Sequence, residues 1–393
     1  MIRYSAYDPP EYVNWRPKPQ VLQEYRSTLE AHPERRELIR CLGATQLLAL
    51  YEGLVRNRLH DIALKRWVKQ GIISKAWLGT GEEATTIGAV HALDRCSGPD
   101  GRVTDHVAPM IRNTGACHEM GMSIAGMFRG YLGTSDSPTR GRDLHIGDFG
   151  SGVLTPISPV GHMVPISAGI ALSFKLRRER RVALTWIGDG STNSGPCHEG
   201  INFAAALRLP LIVIIQNNQV ALGTRLQQYH RGDFLAYPEA YGVEGWGFDG
   251  NNVLDAYAAV KVAADRARLG QGPFLLLAET FRMGGHATHD EREARQTLPR
   301  ELFEHWGERD PIGMYEAYLL EGEVELNNAR TPEDAMSMRE RNAKVLRQIE
   351  ERVIQEVDRA AEEALASVKH QKPRPQSALE GVYADSSLPG TPN

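Results

Sequence analysis

Three short apolar runs frame this chain, at 182–187, 211–215 and 274–278. Each is too short for a core helix, rich in branched or aromatic residues, and shows little alternation with polar positions. Strands covered on both faces have this character, because a parallel sheet takes helices on each side. Helical patterns surround the runs. Over 35–69, apolar residues recur at Leu38, Leu42, Leu50, Leu54 and Leu64 until Gly71 ends the stretch. Further helices are predicted over 81–93, 115–131, from Pro165 onward, over 196–207 and over 252–269, the last capped by Asn252 and closed by Gly270. The pattern predicts an α/β fold with a mostly parallel sheet flanked by helices.

The two ends differ from the middle. Residues 1–34 are rich in Pro and Tyr without helical period, which predicts an extended arm before an α/β domain over 35–330. Thr331 and Pro332 read as the cap and first turn of a C-terminal helix over 331–370. Its apolar stripe runs through Leu346, Ile349, Val353, Val357, Ala361, Ala364 and Val368. Pro, Ser and Gly then predict a disordered tail over 371–393. The helix after Pro165 carries Ser167, Ala168, Gly169 and Ala171, small residues that suit close packing at a subunit interface.

Composition narrows the function classes. A formal net charge of −4 gives no reason to expect nucleic acid, and no apolar run is long enough to span a membrane. Asp8, Glu11 and several prolines stand where a secretory signal would need an apolar core. The four cysteines, Cys41, Cys96, Cys117 and Cys197, show no metal or redox spacing and fit thiols in a reducing cytoplasm. Candidate chemistry gathers where the central runs stop. The first ends at Gly188-Asp189-Gly190 and the second at Asn217-Asn218. Ligands of parallel α/β sheets sit outside the carboxyl ends of the strands. A hard cation such as Mg²⁺ would take a carboxylate oxygen from Asp189, an amide oxygen from Asn218 and a main-chain carbonyl at Val220, leaving places for phosphate and water. Gly188 and Gly190 let the backbone approach, and the following helix start favours an anion near Ser191.

Gly188-Asp189-Gly190 followed by Asn217-Asn218 resembles the cofactor motif of thiamine-diphosphate enzymes. The text around it, GDGSTNSG…HEGINFAAALRLPLIVIIQNN, resembles the alpha subunit of the E1 component of 2-oxo acid dehydrogenase complexes. That resemblance, spanning about 71–311, implies a thiamine-diphosphate-binding fold with helical extensions at both ends. It implies thiamine diphosphate and Mg²⁺ as cofactors, with Asp189, Asn218 and Val220 on the metal. Gly81-Glu82-Glu83-Ala84 resembles the segment that starts the cofactor domain. Arg112 falls where the family places a diphosphate-binding Arg, whose preceding Tyr is Ile111 here. The 139–144 stretch TRGRDL resembles a loop before the second half of the site, and Ser158 and Val160 match main-chain contacts to the aminopyrimidine ring. The 281–290 loop resembles the family's Y-R-x-x-x-H-S loop. It makes His286 the catalytic residue, in reach of diphosphate and reacting carbon, while His289 reads as loop structure. Ala287 replaces the Ser phosphorylated in animal members. Gln216 stands where branched-chain relatives have Arg.

Single-chain thiamine enzymes carry a ring-binding glutamate in a second α/β domain, for which this chain has no room. The resemblance therefore implies a beta subunit, an α₂β₂ assembly with the cofactor at the interface, and acyl transfer to a lipoyl group on an E2 acyltransferase. The substrate would be a 2-oxo acid, and Lys75, where the family places a residue over the substrate, would favour a second acidic group on it. An acetoin dehydrogenase alpha subunit, half of a split transketolase and a non-catalytic scaffold of the same fold are the other readings of these motifs.

Overall fold

The computed structural model describes residues 1–95, 105–322, 324–326 and 336–379. Five strands form one sheet: β1 (His106–Ala108), β2 (Ala183–Gly188), β3 (Leu211–Asn217), β4 (Glu244–Asp249) and β5 (Phe274–Glu279). Their spatial order is β1-β2-β3-β5-β4, and every pairing is parallel. The apolar runs become the three central strands, β2, β3 and β5. Side chains alternate across a strand, so each run feeds two cores. Leu184, Trp186, Ile212, Ile214, Phe274 and Leu276 face one core, shared with the helices Ala44–Lys69, Glu83–His91 and Val253–Arg268. Ala183, Val213, Ile215, Leu275 and Leu277 face the other, shared with Met163–Leu176 and Gly195–Ala206. Burial on both faces is why these strands carry no polar alternation. The two strands absent from the sequence reading are the sheet's edges. β1 has three residues, and β4, Glu-Gly-Trp-Gly-Phe-Asp, is half-exposed along most of its length.

The extended arm expected over 1–34 is not what forms. A 12-residue helix, Pro19–Glu30, buries Val21, Leu22, Tyr25 and Leu29, and a single turn, Pro10–Val13, precedes it. Those buried positions do follow helical spacing, and Pro19 starts the helix where a missing N–H costs nothing. The helix predicted over 35–69 is two, Pro33–Arg40 and Ala44–Lys69, broken at Gly43, whose N–H donates to Gln46 Oε1 at 3.1 Å. The stretch 115–131 likewise divides into Thr114–Glu119 and Ile124–Leu132, because Ser123 caps a new start with Oγ accepting from Gly126 N at 3.1 Å.

Thr331 and Pro332 lie outside the described residues, and the helix described there, Met338–Ser367, is capped by Ser337 with Glu340. Its stripe packs on this same chain, against Ala44–Lys69 and Ile124–Leu132. The start of the tail is ordered: Pro375–Leu379 forms a turn, and Arg142 Nη2 donates to Ser377 O at 2.8 Å. Residues 380–393 lie outside the described residues. Ser167, Ala168 and Ala171 are buried against Gly195–Ala206 and the sheet, so these three serve packing within the chain, while Gly169 is exposed, with nothing within 4 Å of where a Cβ would stand. No single helix among the described residues is long and apolar enough to cross a membrane.

Candidate active site

The three central strands run out side by side. Register pairs Gly188 with Gln216 and Asn217 with Glu279, so Asp189 and Asn218 follow from neighbouring strand ends. A Cβ on Gly190 would lie 2.6 Å from that of Ala221, which shows how closely the Val220–Ala221 strand presses on the Asp189 turn. A Cβ on Gly188 would lie 3.4 Å from Arg112 Nη2, so the Arg112 guanidinium lies across the other side.

Glu82 is the hub. Its Oε2 accepts from Arg112 Nε at 3.0 Å, and its Oε1 accepts from Asn218 Nδ2 at 2.9 Å and from Gln216 Nε2. Asn113 fixes Gln216 from behind, donating to its Oε1 at 3.1 Å and to Thr86 Oγ1 at 2.7 Å. The Asn218 amide oxygen accepts a long bond from Val220 N at 3.3 Å.

Asp189 is the strained member of the group. It is 1% exposed; Oδ1 accepts from Gly190 N at 2.7 Å, while Oδ2 has no hydrogen-bond partner among the described residues. The Tyr229 hydroxyl lies close and favours the charged form, yet it too lacks a well-formed hydrogen bond. Burial raises the Asp189 carboxyl above the usual range, with the Gly190 N–H and the Arg112 charge opposing. A buried carboxylate with an idle oxygen is costly unless a cation or donor meets it.

The loop after β5 supplies the positive charge. Arg282 is 2% exposed, gives Nη2 to Leu222 O at 2.8 Å, and leaves Nε without a partner. Burial and the neighbouring Arg112 pull it down to about 10, so it stays charged at neutral pH. His286 is half-buried and pulled down to about 4 by burial and then by Arg282 and Arg112, with Asp290 opposing; its imidazole is neutral at pH 7. Asp290 shapes the loop, accepting from His286 N at 3.1 Å and Ala287 N at 2.8 Å.

Asp189, Asn218, Arg112 and His286 thus gather at one set of strand ends, with Val220 and Gly190 beside them. Ser158 and Val160 do not join them by side chain. Both are exposed, on a turn pressed against the start of the Gly195–Ala206 helix: Gly161, at φ +79°, would carry a Cβ 1.9 Å from Ser194 Oγ. Ser194 in turn donates to Ser191 O at 2.8 Å, which ties the turn to the Asp189 segment. Lys75 is exposed, its ammonium 5.0 Å from the Trp77 ring centre, beside a cavity of about 480 Å³ that Tyr131, Leu144 and Lys369 also line. Sequence reasoning passed over Arg282, Glu82 as a hub, and Tyr229. Arg282 was within reach, since it stands inside the same loop motif as His286.

The donor set can be tested against a ligand. No group of three His, Cys, Asp or Glu capable of holding a metal occurs among the described residues. A cation here would have one carboxylate, amide and carbonyl oxygens, and the remaining places filled by phosphate and water, which is how Mg²⁺ commonly binds. Two guanidiniums beside it suit phosphate oxygens. The residues present fit a metal-bound diphosphate at the strand tips, where ligands of parallel α/β sheets sit.

Comparison with known proteins gives the family. The model of the dehydrogenase E1 component matches residues 53–375. The chain is 32% identical over 286 residues to the 2-oxoisovalerate dehydrogenase subunit alpha of Bacillus subtilis, covering 71% of this chain and 84% of that one. It is 33% identical over 275 residues to the pyruvate dehydrogenase E1 component subunit alpha of Acholeplasma laidlawii, covering 70% and 75%. The 3-methyl-2-oxobutanoate dehydrogenase subunit alpha of Mycobacterium tuberculosis is 32% identical over 272 residues, 69% of each chain. The chain belongs to the dehydrogenase E1 component family, as an alpha subunit of the 2-oxo acid dehydrogenase type.

Proposed function

We propose that this chain, with a beta subunit, carries out thiamine-diphosphate-dependent oxidative decarboxylation of a 2-oxo acid and passes the acyl group to a lipoyl group on an E2 acyltransferase. The family implies thiamine diphosphate, which when bound supplies the electron sink for breaking the bond to the carboxylate carbon. The rest falls to the protein. Asp189 Oδ2, the Asn218 amide oxygen and the Val220 carbonyl hold Mg²⁺. Arg112 and Arg282 neutralise the diphosphate, while the backbone at Gly188, Gly190 and Ser191 lets it approach. Ser158 and Val160 offer main-chain groups to the aminopyrimidine ring. The neutral His286 keeps a proton on one ring nitrogen, able to donate to an oxygen gaining charge or to exchange with substrate. The assembly is α₂β₂, with the exposed 158–160 turn towards the beta subunit.

One observation carries this reading: among the described residues, the buried Asp189 carboxylate has an oxygen without a hydrogen-bond partner while the neighbouring Arg282 has an Nε without one. Each of these buried charges wants an opposite charge, and a cation with a phosphate group provides both. Calorimetric titration of the co-expressed alpha–beta complex with thiamine diphosphate tests it. Binding is expected with Mg²⁺ and lost with EDTA; equal affinity in both, or none in either, overturns the assignment.

A further inference from the structure

The family match begins at residue 53, yet residues upstream of it brace the His286 loop. Glu11 grips Arg295 through both oxygens, at 2.8 and 2.9 Å, and Arg295 also reaches Met283 O at 3.4 Å. Lys65 Nζ joins Tyr7 O and Glu291 Oε1, both at 2.7 Å. Tyr12 is fully buried in a small cluster that includes Val220, Phe281 and Met283. Arg58 anchors the segment. Its guanidinium lies over the Tyr12 ring at 4.9 Å and meets Asp8 at 3.4 Å, Asp310 at 3.1 Å and Glu83. Glu83 adjoins Glu82, which holds Arg112.

One short segment therefore touches the loop that carries Arg282 and His286 and the turn that carries Val220, and through Arg58 it is linked to the helix start beside Glu82. None of its side chains enters the site itself. We infer that residues 4–15 are a positioning strap that holds the 281–297 region ordered before cofactor binds, with Glu11 and Lys65 as its two ties to that region. The inference rests on the functional reading above only for its effect on cofactor binding. Order of the loop in the free protein stands apart from that reading. Without such a tie a cofactor must order the loop itself, and apparent affinity falls by the fraction of protein that is already competent.

Hydrogen exchange on the alpha–beta complex without ligand is the test, on E11Q and K65M. Loss of one partly buried charged tie shifts a local equilibrium by roughly three- to tenfold. Amides over 284–297 are expected to exchange about that much faster, with the β2 and β3 amides unchanged and the swap E11R/R295E restoring protection. The double variant E11Q/K65M should bind thiamine diphosphate more weakly while kcat at saturating cofactor holds. Unchanged exchange over 284–297 in both single variants overturns the strap, as does a uniform rise across the sheet. If the wild-type complex binds no thiamine diphosphate, it is the functional reading that fails, and exchange alone then judges the strap.

Discussion

Asp189→Asn separates what the site costs the fold from what it gives the ligand. The amide keeps the acceptor that Gly190 N uses and puts an N–H₂ where Oδ2 now lies idle beside the Tyr229 hydroxyl. It removes a buried negative charge and also the attraction to Arg112. These two changes oppose each other, so the ligand-free melting temperature should move by no more than about 2 °C, or rise. The ligand-dependent part should behave otherwise. Cofactor at about a hundred times its dissociation constant stabilises by about 2.7 kcal/mol. With an unfolding entropy of about 2.1 cal/mol/K per residue, a chain of 393 residues melting as one unit gains about 3 °C. In the co-expressed alpha–beta complex, the wild-type alpha chain should show that rise on adding Mg²⁺ with thiamine diphosphate, and D189N should show close to none.

A pH series sharpens the test. Burial raises the Asp189 carboxyl above its ordinary 3.8, so its protonated form is the one folding favours. The stability tied to this group is complete below 3.8 and is lost as pH rises through the folded value. Relative to D189N, the ligand-free wild type should therefore lose ground between acid and neutral pH, read as the difference in urea midpoints at pH 4.5 and 7.5. A full ligand-induced rise in D189N would refute the reasoning. So would a ligand-free loss above about 3 kcal/mol, the size expected for breaking a structural buried pair.

Three further outcomes follow from the same geometry. His286 is depressed to about 4 from 6.5, so its contribution to stability is present above 6.5 and lost as pH falls towards 4. H286Q should flatten the acid side of the urea-midpoint curve over that window and abolish turnover; a curve parallel to wild type would be the contrary result. G190A brings a Cβ to 2.6 Å from Ala221 Cβ, an overpacking worth about 1–3 kcal/mol, and should weaken cofactor binding by calorimetry at least about tenfold. K75A removes an exposed cation resting on Trp77, and kinetics with several 2-oxo acids should keep the same order of preference; a changed order would place Lys75 over the substrate after all.

The centre of the sheet was legible because burial on both faces leaves unbroken apolar runs, and Val213 or Leu275 could hardly sit elsewhere. The tips of those strands were legible for a related reason: Asp189 and Asn218 are polar residues directly after such runs, where a side chain must leave the core. The edges were not. In Glu244–Asp249 the alternation is confined to Trp246 and Phe248 set among glycines, too short a signal by itself, since an edge strand needs burial on few positions and borrows its order from β5. Helix breaks at Gly43 and Ser123 depend on single caps, which a long apolar period masks. Prolines at 9, 10, 17 and 19 mask the helical spacing of Val21, Leu22, Tyr25 and Leu29 that follows them in the N-terminal segment.

Arg282 and Glu82 escaped for a different reason. Their importance is pairwise, and a linear pattern does not show which charges meet. Seen together, the polar atoms left unpartnered around the strand tips explain the shape of the site. Among the described residues, Asp189 Oδ2, Asn217 Oδ1 and Arg282 Nε, at or just past the ends of β2, β3 and β5, have no hydrogen-bond partner, nor does Tyr229 Oη beside Asp189. The carboxylate and guanidinium among them carry opposite charge, yet they do not pair with each other; Arg282 turns to Leu222 O, and Arg112 to Glu82. Collapse of the two into one ion pair would relieve both. Opposing such a collapse are the Gly190 turn, packed closely on Ala221, and the loop bonds made by Asp290 and Arg295. The fold holds the charges apart at a cost in stability, which leaves the work of satisfying them to whatever enters between.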